Sequence, residues 1–98
     1  MRVISQDGKF DIPYDEIVVE IFDECVVGRL KEYIGRDIVL GSYSTEVKAE
    51  KAMEMLQEEY MFEKLFETLC SGMGDYPNKP FYYFKFPRDE DVEVENET

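Results

Sequence analysis

From Thr45 to Ser71 the chain carries neither glycine nor proline. A run of that kind contains none of the usual causes of a helix break. Ser44 is a suitable N-cap, and Thr45-Glu46 suits a first helical turn. Ala49, Ala52, Met53, Leu56 and Tyr60 then recur at helical spacing. Past Tyr60 the same stripe runs onto Glu63, Lys64 and Glu67, while the apolar set moves to Phe62, Leu65, Phe66, Leu69 and Cys70. At about 100° per residue the apolar face swings by more than a quarter-turn. Either the helix breaks near Tyr60–Met61, or one long helix carries two apolar faces. The absence of a breaker favours the unbroken helix. Its second face, with Phe62, Leu65, Phe66 and Leu69, then calls for a homodimer or another partner, because so large an apolar stripe is costly to leave in water.

Upstream of Ser44 the period is that of strands. Val3 and Ile4, then Phe10, Ile12 and Tyr14, flank an Asp7-Gly8 turn signal and read as a hairpin, with Pro13 marking an edge or an end. "EIVVEIF" puts Ile17, Val19 and Ile21 on one face, and Asp23-Glu24 turns the chain. "CVVGRLKEYI" follows, with Gly28 as a candidate bulge. Gly35-Arg36-Asp37 is the next turn, and Ile38–Tyr43 a further strand. Beyond the helix, Gly72 and Gly74 end it, "GDYPNKP" is loop, and Phe81–Phe86 reads as a strand that is interior to its sheet or covered on both faces. The expected fold is α+β: an antiparallel β-meander of four to five strands with one long helix packed on it. Residues 1–88 form one domain and residues 89–98 an acidic tail.

Charge narrows the function. The chain has 98 residues and a net charge of −12. The tail from Arg88 holds one base and six acids, a net −5, which leaves −7 on the body. Such a surface repels nucleic acid and anionic membrane, and attracts basic protein grooves. Plain solubility is the simpler alternative. The two cysteines, Cys25 and Cys70, share no metal-type spacing; one disulfide is possible in principle, but two thiols without a shared motif point to a reduced, intracellular protein. "IVVEIF" is far short of the roughly 20 apolar residues that cross a bilayer.

Several chemistries lack their residues. Histidine is absent, so no Ser–His or Cys–His nucleophile can be built and no Cys/His zinc site is expected. Neither GxxxxGK[ST] nor GxGxxG occurs. "SQDGKFD" lacks the spacing of a calcium loop, and Asp7, Asp11 and Asp15 read as turn formers. No catalytic residue, metal or cofactor is expected, and the chain is read as a non-enzyme.

What remains is carboxylate display. Glu46, Glu50, Glu54 and Glu58 stand at successive i+4 positions, with about 6 Å between neighbours on a helix. That row could imitate a nucleic-acid backbone; the plainer alternative is a solvated helix face. Asp89, Glu90, Asp91 and Glu93 would extend it. In "DVEVE", Val92 and Val94 alternate with acids and could add a strand, against the alternative of a disordered end. Of the tyrosines, Tyr76 and one of Tyr82 and Tyr83 are the expected interface anchors.

Three stretches, "MRVISQDGKFDIPYDE", "LGSYSTEVKAEKAMEML" and "FKFPRDEDVEVE", together resemble a group of short proteins of Firmicutes prophages and other mobile elements. Some proteins of that size and setting are type II anti-CRISPR inhibitors, many of them acidic. The resemblance implies a setting and supplies no residue-level mechanism. It agrees with the charge: an RNA-guided nuclease holds its heteroduplex in a positive channel that a compact acidic protein can occupy. The leading expectation is therefore a non-enzymatic inhibitor that binds a basic surface of a host defence nuclease, with no direct nucleic-acid or membrane contact. The alternative is a structural or regulatory homodimer through Phe62, Leu65, Phe66 and Leu69. A third reading, sequestration of a signalling nucleotide, would depend on Arg2, Arg29, Lys31 and Arg36.

Overall fold

A computed structural model of the protein describes residues 1–32, 35, 37–70 and 83–94. The opening hairpin forms from β1 (Arg2–Ile4) and β2 (Asp11–Pro13), paired antiparallel with Val3 opposite Ile12. Its loop is longer than a two-residue turn. Ser5 N–H donates to Phe10 O (2.9 Å), Asp7 Oδ1 accepts from Ser5 Oγ (2.6 Å) and Lys9 N–H (2.9 Å), and Gly8 takes φ 77°, which suits a residue without Cβ.

A 3-10 turn (Tyr14–Glu16) leads into β3 (Ile17–Phe22). β4 (Cys25–Leu30) returns from the tight Asp23-Glu24 turn, where Asp23 adopts φ 55°, a left-handed conformation that Asp tolerates better than most residues. β5 (Asp37–Ser42) completes an antiparallel meander in the order β3-β4-β5. Tyr33, Ile34 and Arg36 lie outside the described residues. Gly28 is not a bulge: it pairs regularly with Ile38, and the register instead shifts between Val26 and Val27, where Leu40 of β5 is the extra residue. The glycine answers a different need. A Cβ there would sit 2.9 Å from Leu40 Cδ1, and Leu40 is wholly buried.

The helix α1 (Glu46–Cys70) is unbroken through Tyr60 and lies across β4 and β3. Thr45 is its cap, accepting from Lys48 N–H through Oγ1 (3.1 Å), in place of Ser44. Ala49, Ala52 and Leu56 enter the core with Val26, Ile38 and Leu40. The small alanines let the helix approach the sheet closely.

The last strand corrects a second expectation. β6 (Tyr83–Lys85) pairs parallel with β1, at the edge of a second sheet ordered β2-β1-β6. Only one of its faces is covered: Phe84 is buried and Tyr83 exposed. Phe86, just past the strand, is also buried and meets Phe84 edge to face at 5.0 Å. Phe81 and Tyr82, like Gly72, Gly74 and the "GDYPNKP" loop with Tyr76, fall outside the described residues. The strands thus divide into two three-stranded sheets within the expected α+β class.

Gln6 joins those sheets. Its N–H donates to Leu40 O (2.7 Å), its side chain brackets Ser42 N–H (3.1 Å) and Ser42 O (3.2 Å), and Nε2 also reaches Pro87 O (2.9 Å). Tyr43 adds a second tie through Oη to Pro87 O at 2.8 Å.

The chain does not leave the body at Arg88. A 3-10 turn (Asp89–Asp91) follows, Val92 is 3% exposed within the core, and Val94 packs against it. Residues 95–98 lie outside the described residues.

Candidate functional site

The helix presents Glu46, Glu50, Glu54 and Glu58 to solvent, all exposed along one unbroken element. Each i+4 step advances about 6 Å and turns about 40°, so the row is a shallow spiral and not a straight line. Glu54 meets Lys51 at 3.5 Å. Lys48 is drawn away from the row, donating to Asp89 O (3.0 Å) with Oδ2 at 3.6 Å. Among the described residues no ion pair forms at Glu46, Glu50 or Glu58.

The C-terminal acids behave individually. Asp89 Oδ1 accepts from Ser44 N–H (2.8 Å) and Ser44 Oγ (3.1 Å). These bonds, with the Lys48 charge, hold its carboxyl below the usual Asp range. Asp89 is therefore a tie between the chain end and the helix start, not a free acid. Glu90 faces Arg88 at 3.7 Å in solvent, while Asp91 and Glu93 are exposed. With Val92 buried, residues 91–94 have no free strand to lend, and Glu95 lies outside the described residues.

A second group of acids joins the row. A shallow depression is lined by Asp23, Glu24, Cys25, Ser42 and Glu46, and Tyr43 N–H donates to Glu24 O at 3.0 Å. The β3–β4 turn thus stands beside the first helical turn. In the sequence, Asp23-Glu24 reads only as a turn. The signal was present in the meander itself, since β5 must end beside that turn for the helix to start there.

The apolar helix stripe is open to solvent: Phe62 is 57%, Leu65 56% and Leu69 69% exposed, with Met61 alongside. Phe66 is half-buried. Glu63, on the first stripe, turns inward: it is 6% exposed and its Oε1 meets the Met1 ammonium at 3.4 Å.

Two of the cations that a phosphate ligand would need are engaged elsewhere. Arg2 pairs with Asp11 at 2.8 Å, and Arg29 with Glu20 at 2.6 Å and Asp37 at 3.1 Å. Lys31 lines a depression with Asp15, Glu16 and Glu32, a setting that repels an anion. Arg36 is outside the described residues. Among the described residues no group of three His, Cys, Asp or Glu is placed to hold a metal ion, and no helix is long and apolar enough to cross a membrane. No family model, curated protein or solved structure matches the chain.

Proposed function

We propose that the chain is a non-enzymatic, acidic docking protein of the bacterial cytoplasm that occupies a basic nucleic-acid-binding surface of a host defence nuclease. The observation that supports this reading is the exposed glutamate row on an unbroken helix, in which, among the described residues, only Glu54 has a lysine within ion-pair distance. The row offers about one carboxylate for every two phosphates of a strand, at 6 Å against 3.4 Å of rise. Asp23 and Glu24 widen the field around the helix start. The RNA-guided class of the nuclease rests on the prophage resemblance of the three sequence segments.

Competition with guide RNA or target DNA for a purified RNA-guided nuclease tests the proposal. The chain displaces nucleic acid at low salt and much less at high salt. Reversing Glu50→Lys and Glu54→Lys together weakens binding by about tenfold or more. Unchanged competition by that variant removes the mimicry.

The exposure of Phe62, Leu65 and Leu69 favours a second reading, a regulatory homodimer joined along the helix. In that case Leu65→Asp yields a monomer by light scattering.

A further inference from the structure

The edges of the two sheets are treated unequally. Gln6 covers β5 with its main chain and its amide, meeting Leu40 O and both polar groups of Ser42. β2 is three residues long and ends on Pro13. β6 is three residues long and ends on exposed Lys85. Short strands, proline and lysine are the usual devices that keep an edge from pairing. β3 has none of them: its six residues read IVVEIF.

The hydrogen-bond parity of β3 shows which groups are open. Lys31 N–H donates to Glu16 O at 3.0 Å, in phase with the Val18–Arg29, Glu20–Val27 and Phe22–Cys25 pairs. Even-numbered residues therefore bond β4, and Ile17, Val19 and Ile21 turn their amides outward. Ile17 N–H is taken by Tyr14 O. Among the described residues nothing bonds the outward groups of Val19 and Ile21. Beside them Val18 is 48% and Phe22 69% exposed.

We infer that this edge pairs antiparallel with β3 of a second copy of the chain, about a two-fold axis through Val19, to give one continuous sheet. The strand is self-complementary about that residue. Ile17 faces Ile21 of the partner copy, and Val18 faces its Glu20. Val19 exchanges both bonds with its own counterpart, and each Ile21 N–H reaches the carbonyl of Ile17 across the axis. An axis through Glu20 would instead set two glutamates directly opposite, which is destabilising. In the inferred register the strand's only charge lies against an apolar neighbour and stays bonded to Arg29 of its own chain at 2.6 Å. The inference stands apart from the glutamate row. Its salt response has the opposite sign, because screening relieves repulsion between two copies of charge −12.

Light scattering over a range of concentrations, at low and high salt, tests it. The expected result is a dimer that tightens with salt. Val19→Pro removes an N–H that the monomer leaves to water, and it abolishes the dimer; Val19→Thr retains it. Val19→Cys, on the axis, oxidises to a covalent dimer that wild type and Phe22→Cys do not form, since Cα atoms about 5.5 Å apart suit a disulfide. Leu65→Asp leaves the mass unchanged. A monomer under all conditions overturns the inference. So does a dimer that Leu65→Asp dissolves, or one in which Val19→Cys fails to cross-link.

Discussion

Glu63 is the residue whose role depends most on its partner. It continues the buried helix stripe, and the Met1 ammonium meets its Oε1 while Oε2 has no hydrogen-bond partner among the described residues. Glu63→Ala leaves that ammonium buried and unpaired. The expected cost is about 2–4 kcal/mol, read from urea unfolding; a loss below 0.5 would show that water already serves the pair. Asp89 works through polarity at the surface. Its folded pKa is depressed, so its contribution is complete above the unfolded value near 4 and lost as pH falls through the folded value. The melting temperature is therefore expected to drop on acidification below about pH 4, and Asp89→Asn to shrink that drop. Asp7, lowered chiefly by its Ser5 bond, keeps part of it.

Packing tolerance is small in the central strand β4. Gly28 makes room for Leu40, whose position follows from the register shift in β5. Gly28→Ala is expected to cost about 1–3 kcal/mol in thermal unfolding, and adding Leu40→Val to recover part of it. Full additivity of the two changes would mean that the side chains do not meet in this way. The helix has more freedom. Its outward glutamates touch no core group, so their reversal is a probe of binding and not of folding.

For the molecule as a whole, charge opposes compaction. A body with a longest extent of 48 Å holds a net −12, and among the described residues Glu46, Glu50 and Glu58 form no ion pair. Its melting temperature, measured in dilute solution, is expected to rise with sodium chloride as self-repulsion is screened. A fall would show that the Arg29 and Lys48 ion pairs outweigh the net charge.

Period and punctuation determined much of this protein. The glycine-free run became one helix, alternation set the buried face of β3, and the spacing of Glu46 to Glu58 placed those side chains on one helix face. Each of these is a local property, fixed by the angle between neighbouring residues. Only the tertiary structure decided that β6 runs parallel to β1, that Asp89 ties the chain end to Ser44, that Val92 belongs to the core, and that Glu63 finds an ammonium. Each of those partners is far away in sequence, and a side-chain period carries no information about what arrives from elsewhere to cover it. The open edge of β3 is of the same kind, because a strand's sequence names its faces while its neighbours decide which edge is left bare.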